Sequence, residues 1–422
     1  MKRRTYLTLA AASSLSLAGC TDAQQTSSGK QNGDDDSSTS SNGETPTETP
    51  SDLPDIAGTD DDFEDLDAWE VAGGSLSADS TRSVVGSQSA RLEVGKSDQN
   101  ARLTKRFSEP RDLTDVVPGV ALAADDTTVP WLRLVDVDGD SVEYRRGIAP
   151  DMPLMRYNFG VDTVAKGFDA AAVSEVHLQL WTAEGDRRTV WFDDFHFTPR
   201  PDTGKVMLQF DDNHVTDYTK ALPILEEYGY PAVTFVNPGR VEAEMDGVTD
   251  PGGYPRVTLD QLHELRDAGW TVSNHCYNHP HLSQLDANAQ EAEIVRGKEW
   301  LESNGFEDGA RYFAYPHGDY DETTLELVEK HHDIGFGGGL PVQGYTTNTR
   351  LTSRIGEPSA ERVETELERT AEMRGITKIF YHRLEGADLE AFETLVETLH
   401  EYESRGEIDV ILPRDLEREF LF

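Results

Sequence analysis

Carboxylates and histidines with the spacing of a metal site follow short apolar runs in the C-terminal half of the chain. Phe210-Asp211-Asp212-Asn213 follows one run, and Asn274-His275-Cys276-Tyr277-Asn278-His279-Pro280 follows another. Two histidines and one carboxylate are a common open ligand set, since three protein ligands leave room for water and substrate. Histidines at positions i and i+4 lie on one side of a helical turn, where both rings can reach one metal. The sequence therefore predicts a catalytic metal site, although each pair alone also fits an acidic turn or surface histidines.

The elements that must position these residues are visible from Lys205 onward, where short apolar runs alternate with helical patterns. The predicted strands cover residues 206–210, 232–236 and 271–273, and the predicted helices cover residues 216–228, 258–268 and 287–303. This alternation indicates a βα-type parallel barrel or sheet. In such folds the active site gathers at the carboxyl ends of the strands. We therefore expect the polar residues at those ends to meet in one crevice.

In this order the motifs resemble those of the polysaccharide deacetylase family, which is defined by NodB homology and includes carbohydrate esterase family 4. The segments that carry the resemblance are Phe210-Asp211-Asp212, His275-x-x-x-His279-Pro280, Arg311 to Gly318, and Ile376 to His382. The resemblance implies an α/β fold, a distorted (β/α) barrel over residues 202–422. It also implies a hydrolase that removes N-acetyl groups, or O-acetyl groups as the nearest variant, from a polysaccharide.

The resemblance also implies roles for individual residues. Asp211 is the catalytic base, and His382 is the general acid that protonates the departing amine. The implied ligands of a divalent cation, expected to be zinc, are Asp212, His275 and His279. The implied substrate-binding loop, which would offer a backbone N–H to the oxyanion, is Tyr315, Pro316, His317 and Gly318.

Several positions depart from the family pattern. Asn213 stands where the family usually has Gly, and His317 replaces the usual Tyr. Ala314 stands where many members carry an Arg that orients the base, and Arg311 is the candidate to supply the missing charge. The fourth motif, usually an Asp and a Trp, has no visible counterpart, because the Gly-rich segment Gly335 to Gly339 occupies its place.

These departures leave two other functions open. The first is a surface glycan-binding lipoprotein in which the barrel has lost activity. The second is a metal-dependent amidase that hydrolyses a cyclic imide or a short peptide. Release of acetate from acetylated sugars, compared with hydrolysis of such amides, separates these possibilities.

Residues 59–201 show short alternating runs between turn-forming residues, which predicts an all-β sandwich. The two ends of this segment resemble those of jelly-roll, galactose-binding-like modules. They are Phe63-Glu64-Asp65 with Trp69, and Phe192-Asp193-Asp194-Phe195. Glycan binding and a purely structural spacer role both remain open. The acidic run Asp136 to Asp140 is expected to form a hairpin turn, because it lacks the bidentate Glu of a calcium loop. Since all the catalytic motifs follow Lys205, we expect the barrel to act on small substrates without the sandwich.

The N-terminus has the anatomy of an export signal over residues 1–20, with a basic head, an uncharged middle and small residues. Leu17-Ala18-Gly19-Cys20 resembles a lipobox, which makes Cys20 the expected lipid-bearing residue; a plain signal peptide with a chance Cys is the alternative. Residues 21–58 are rich in Ser, Thr and Asp and predict a disordered linker. We therefore expect a protein anchored by lipid on the outer face of the cytoplasmic membrane.

The charge balance is strongly acidic, with 79 Asp plus Glu against 38 Lys plus Arg and a formal net charge of -41. This charge argues against nucleic acid as a partner, because the phosphates of nucleic acid would be repelled. Concentrated salt screens repulsion among carboxylates, so the composition also predicts adaptation to a saline environment. The sequence contains no feature that points to a protein partner.

Overall fold

The computed structural model describes residues 53–183, 185–247 and 253–422. The predicted signal peptide, Cys20 and nearly all of the predicted linker lie outside the described residues, so these predictions stay open. Among the described helices, none combines the length and the apolarity needed to cross a membrane.

The N-terminal module consists of two antiparallel sheets. Its strands are β1 (Gly58–Asp61), β2 (Glu70–Ala72), β3 (Ser75–Asp79), β4 (Ser89–Val94), β5 (Asn100–Arg111), β6 (Val116–Ala124), β7 (Trp131–Asp136), β8 (Ser141–Arg145), β9 (Met155–Asn158), β10 (Gly160–Val164), β11 (Val173–Trp181) and β12 (Arg188–Pro199). The first sheet has the order β3-β4-β12-β6-β9, with β1 paired to β12, and the second has the order β10-β8-β7-β11-β5-β2. The architecture agrees with the predicted all-β module.

The aromatic residues that mark the ends of this module belong to its core. Phe63 stacks on Trp69 with ring centroids 5.1 Å apart, and Phe195 meets the edge of Trp69 at 6.2 Å. All three side chains are buried. The Asp136 carboxylate accepts hydrogen bonds from the N–H groups of Asp138 and Asp140, which confirms the predicted hairpin turn between β7 and β8.

The C-terminal module is a closed barrel of seven parallel strands with an additional strand beside it. The strands are β13 (Gly204–Asp211), β14 (Val233–Val236), β15 (Thr271–Asn274), β16 (Tyr312–Ala314), β17 (Ile334–Gly338), β18 (Thr352–Gly356), β19 (Ile376–Tyr381) and β20 (Ile408–Val410). Because β13 pairs with both β14 and β19, the sheet closes on itself, and β20 flanks β13. The predicted fold class is therefore confirmed.

Helices surround the barrel. They are α1 (Leu222–Tyr228), α2 (Pro238–Met245), α3 (Leu259–Asp267), α4 (Ala287–Ser303), α5 (Glu322–His331), α6 (Ala360–Glu372), α7 (Ala387–Ser404) and α8 (Pro413–Glu419). The π-helical turn Asp217–Ala221 leads directly into α1. Short 3-10 turns lie at Leu66–Ala68, Ala170–Ala172, Leu282–Gln284, Gly309–Arg311 and Pro316–Gly318.

Alternation along β13 decides which of its residues can do chemistry. Phe210 packs outward against the helix layer, stacking on Trp270 at 5.1 Å and meeting Phe392 at 5.6 Å. Since neighbouring strand residues point to opposite faces, Gln209 and Asp211 lie on the barrel side of β13. The apolar outer face thus places Asp211 at the inner carboxyl end of the strand.

The sandwich packs against the barrel where the described chain has no helix, along the segment that joins β17 to β18. Gly160 packs against Leu340 without room for a side chain, and Asn158 donates a hydrogen bond to the Tyr345 carbonyl at 2.8 Å. Arg146 is almost fully buried and donates to Ser353. One continuous hydrophobic cluster includes side chains of both modules. The two modules therefore share part of their hydrophobic core, and activity of the barrel without the sandwich stays a prediction.

Candidate active site

The two adjacent aspartates occupy a left-handed turn at the end of β13. Asp212 has φ 72° and Asn213 has φ 45°, a region that Asn and Asp tolerate better than most residues. The Asn213 side chain accepts a hydrogen bond from the Asn237 N–H at 2.9 Å, which ties the turn to the end of β14. The turn separates the two carboxylates, so Asp211 and Asp212 have different partners.

His275 and His279 lie in the loop that follows β15, and the predicted helical turn between them is wrong. Cys276 and His279 both have φ 61°, so two left-handed residues fold the loop back on itself. Nε2 of His279 lies 3.2 Å and Nε2 of His275 lies 3.8 Å from Oδ1 of Asp212. One potential ligand atom from each of these three residues falls within a 4.8 Å group. The structure thus brings the three predicted ligands together.

Hydrogen bonding prepares His275 to be a ligand. Its Nδ1 lies 2.7 Å from the Ala314 carbonyl, which only accepts hydrogen bonds, so Nδ1 carries the proton and Nε2 presents a lone pair toward Asp212. Burial lowers the pKa values of both His275 and His279, which favours neutral rings. These features fit a divalent cation, because metal binding requires unprotonated imidazole nitrogens.

Basic side chains lie close to the Asp212 carboxylate. Burial alone would raise the pKa of this carboxyl, but the nearby histidines and Arg240 hold the pKa well below its ordinary value. Nη1 of Arg240 lies 2.8 Å from Oδ1 of Asp212. Asp212 is therefore ionised and already lies beside the cationic Arg240. An ionised carboxylate is the form that binds a metal ion.

Asp211 is held by an arginine that sequence analysis missed. Arg354, on β18, donates from Nη1 and Nη2 to the two oxygens of Asp211 at 2.8 and 2.6 Å. Burial would raise the pKa of Asp211, but the charge of Arg354 keeps it below its ordinary value. The same guanidinium also donates to Gln209 at 3.1 Å. Asp211 is thus a buried, oriented carboxylate whose pKa favours the ionised form.

The prediction that Arg311 supplies this charge is wrong. Arg311 is exposed and pairs with Asp333 at 2.6 Å and with Glu417. Its place just before β16 puts it at the amino end of a barrel strand, away from the carboxyl ends where the aspartates lie. The residue that holds Asp211 is Arg354. The signal in the sequence that could have identified it is its charge within the short run Thr352–Gly356, which forms β18.

His382 lies just beyond the end of β19 and has its own carboxylate partner. Nδ1 of His382 lies 2.9 Å from Oε1 of Glu357, which follows β18 in a left-handed conformation with φ 47°. Burial would lower the pKa of His382, but the hydrogen bond to Glu357 and the charges of Asp211 and Asp212 raise it. The ring is thus biased toward the protonated form that a general acid requires.

Glu357→Gln is expected to shift the alkaline limb of the pH profile of kcat/KM to lower pH. A general acid works only while it is protonated, and the substitution removes a carboxylate that raises the pKa of His382. Turnover above neutral pH should therefore fall while turnover in mildly acidic buffer changes less. Glu385→Gln, a change to an exposed glutamate nearby, is the control. An alkaline limb that does not move would show that Glu357 does not tune this histidine.

The four predicted substrate-binding residues in the loop that follows β16 differ in burial. Tyr315 and Pro316 are buried, and the Tyr315 hydroxyl donates to the Arg350 carbonyl on the outside of the barrel. His317, with φ 58°, and Gly318 are exposed. The His317 ring lies 4.2 Å from that of His279, between centroids. This placement leaves His317 beside the candidate metal site and Gly318 in solvent, whereas the Tyr315 and Pro316 side chains are buried.

An open cleft of about 400 Å³ extends from the site. Its wall includes Tyr254, whose ring packs under the Arg383 guanidinium at 3.7 Å, and Arg256, which donates to the Asp212 carbonyl at 2.8 Å. The residues that line the cleft are Asp212, His214, Tyr254, Arg256, Glu357, His382, Arg383 and Asp388. Asp212 and His382 therefore face the same solvent-accessible space.

Comparisons with known proteins agree with this geometry. Residues 198–332 match the family model described as polysaccharide deacetylase. A putative polysaccharide deacetylase, YxkH from Bacillus subtilis, is 28% identical over 31% of this chain and 43% of its own length. The poly-beta-1,6-N-acetyl-D-glucosamine N-deacetylase of Staphylococcus aureus is 28% identical over 34% of this chain and 50% of its own length. The chain thus spans about half the length, or less, of these curated relatives.

A solved family 4 carbohydrate esterase from Streptomyces lividans, in complex with acetate, aligns with 50% of this chain and 92% of its own, at 18% identity and a TM-score of 0.36.

The fold and the site define an α/β barrel protein with an Asp-His-His group at the carboxyl ends of its strands. Within the C-terminal module, residues 198–332 are similar in sequence to polysaccharide deacetylase domains.

Proposed function

We propose that this protein is a metal-dependent deacetylase that removes N-acetyl groups from a polysaccharide. The observation that carries the proposal is the convergence of three groups at one barrel rim. These groups are the cluster of Asp212, His275 and His279, the arginine-held Asp211, and the glutamate-held His382. The cluster would hold a metal ion that supplies Lewis acidity, Asp211 would act as the base and His382 as the acid, and amide hydrolysis uses all three functions.

The ligand set favours zinc, which commonly binds two histidines and one carboxylate in catalytic sites. A divalent cation at this position would polarise the acetyl carbonyl and lower the pKa of water at the site. Asp211 would accept the proton of the attacking water, because Arg354 keeps this carboxylate ionised and fixed. His382 would donate a proton to the departing nitrogen, since an amide cannot expel a bare amine anion near neutral pH.

The substrate is best sought among polymers of N-acetylated hexosamine. The curated Staphylococcus aureus relative is named for action on poly-beta-1,6-N-acetyl-D-glucosamine. The open cleft has an aromatic wall at Tyr254, which can pack against a sugar ring. We therefore propose this substrate class in preference to a cyclic imide or a short peptide.

The test is acetate release from soluble oligomers of N-acetylglucosamine, measured with the full chain before and after chelation. We expect acetate release that disappears with the chelator and returns with one equivalent of zinc per chain by elemental analysis. Hydrolysis of a cyclic imide or a dipeptide without acetate release would favour the amidase alternative. Bound zinc without hydrolysis of any of these substrates would favour an inactive barrel.

A further inference from the structure

A second aromatic cleft lies on the sandwich, away from the candidate active site. Among the described residues, the exposed large aromatic side chains are Tyr254, 39% exposed, and Trp181, 51% exposed. Tyr254 lines the catalytic cleft. Trp181 lies at the end of β11, and together with Val129 and Trp131 it contributes apolar surface to a cleft on the sandwich. Contiguous exposed apolar surface, unlike a single exposed side chain, can mark a ligand-binding groove.

The cleft around Trp181, here called the tryptophan cleft, has a volume of about 370 Å³ and is lined by Thr127, Thr128, Val129, Trp131, Trp181 and Arg188. The Trp131 and Trp181 rings meet edge to face with centroids 6.2 Å apart. Arg145 covers one face of Trp131 at 3.8 Å, which supports that ring from behind. Trp131 is thus in contact with both Arg145 and Trp181, whereas Trp181 keeps half of its surface exposed.

The charges around the cleft favour a neutral ligand. Arg188 pairs with Asp126 at 2.6 Å, and Arg145 pairs with Asp162 at 2.7 Å. Because aspartates already neutralise both guanidinium groups, the described residues that line the cleft carry no unbalanced charge for a polyanion. It combines an aromatic face with hydroxyl and N–H groups. A pyranose ring matches this combination, since its axial C–H bonds can lie on an indole face while its hydroxyl groups bond to polar neighbours.

The tryptophan cleft lies at the end of the second sheet that meets the barrel. In the strand register Trp131 is opposite Arg145, and Arg145 is opposite Gly160. Gly160 packs on Leu340, which follows the carboxyl end of β17. Trp131, Arg145 and Gly160 thus lie at one end of three neighbouring strands, and this end of the sheet contacts the segment that follows the carboxyl end of β17.

We propose that the tryptophan cleft is a non-catalytic binding site for a neutral polysaccharide of N-acetylated hexosamine units. That this polysaccharide is also the polymer that the barrel deacetylates rests on the proposed function. Binding there would keep an insoluble or very long chain beside the barrel and raise its effective concentration at the active site. Short oligomers, which cannot span from sandwich to barrel, would gain nothing from it.

The experiment compares the full-length wild type with Trp181→Ala, Trp181→Phe and Val137→Ala in molar KCl. Val137 is exposed at the opposite end of the same sheet and serves as the control. Binding is measured as the fraction of protein that particulate chitin or poly-β-1,6-N-acetylglucosamine removes from solution. The metal is chelated beforehand, so that turnover cannot alter the polymer. Acetate release from the N-acetylglucosamine trimer is measured with zinc. Equal melting temperatures establish that the variants fold.

We expect Trp181→Ala to weaken retention by about tenfold or more, as for a central Trp of a binding site, while trimer turnover stays unchanged. Trp181→Phe should retain part of the binding, and Val137→Ala should behave as wild type. Equal retention of wild type and Trp181→Ala, or no retention of the wild type on either polymer, would overturn the proposal. So would a loss of self-association in Trp181→Ala without a change in retention. Retention that depends on Trp181 without any acetate release would instead reject the proposed function and keep the binding site.

Discussion

Asp211→Asn is expected to keep the bound metal and lose most turnover, whereas Asp212→Asn, one residue further on, is expected to lose the metal. The two carboxylates differ in their nearest partners: Asp211 bonds to Arg354, and Asp212 lies 3.2 Å from Nε2 of His279. Nε2 of His275 lies close to both, at 3.9 Å from Asp211 and 3.8 Å from Asp212. A neutral amide at position 211 cannot accept the proton of water. The expected loss is roughly 100-fold to 10,000-fold in kcat, which corresponds to about 3 to 5 kcal/mol in the barrier.

Elemental analysis and acetate release on the same samples read metal content and turnover together. His275→Ala and His279→Ala should lose metal like Asp212→Asn, and His382→Ala should keep it. Asp138→Asn, in the exposed β7–β8 turn, is the matched control for an Asp to Asn change. If Asp211→Asn loses its metal while Asp212→Asn keeps a full equivalent, the roles assigned to the two carboxylates are reversed.

The sequence alone was sufficient to predict which site residues follow the barrel strands and therefore meet at one rim. An apolar run with a polar residue at its carboxyl end is a local pattern, and parallel strands bring such ends together. This reasoning placed Asp211, Asp212, His275 and His279 in one crevice, and the structure brings them together. It also placed His382 beside them, at a cleft shared with Asp212.

The partners of these residues were harder to predict, because they depend on which strands are neighbours. Arg354 reaches Asp211 from β18, which is separated from β13 by β19 in the closed barrel. No local pattern encodes that pairing, and the sequence prediction named Arg311 instead. Tyr315 shows a second limit, since a shift of one position along a strand moves a side chain to the opposite face. Its buried ring packs outside the barrel, against Tyr320.

Aromatic residues of the sandwich show the same limit. Alternation predicted the strands, but it did not show which aromatic side chains belong to the core. Trp69 is buried, whereas Trp181 stands on the outer face of its sheet. Its neighbour Leu180 is fully buried, so β11 ends with one side chain in the core and the next in solvent. The difference between a core aromatic and a candidate ligand site thus depends on strand register.

Arg354→Gln is expected to damage both activity and stability, because it leaves the Asp211 carboxylate buried without a counter-ion. Arg354 and Asp211 are each about 4% exposed or less in their side chains and form a bidentate pair. Breaking one side of such a pair typically costs about 3 to 5 kcal/mol in the free energy of unfolding. Burial should then raise the pKa of Asp211, which no longer has the compensating charge. The fraction of ionised base at neutral pH should fall.

The pH profile and denaturant unfolding measure these two consequences separately. A base must be ionised, so a raised pKa moves the acidic limb of kcat/KM to higher pH. Arg354→Lys keeps the charge but not the planar fork, so it should retain more stability than Arg354→Gln and lose alignment of the base. Adding Asp211→Asn to Arg354→Gln should recover part of the lost stability, because the stranded charge is gone, and the double-mutant cycle gives the coupling. An acidic limb that stays in place, with an unfolding free energy within about 0.5 kcal/mol of wild type, would mean that this buried pair neither tunes the base nor stabilises the barrel.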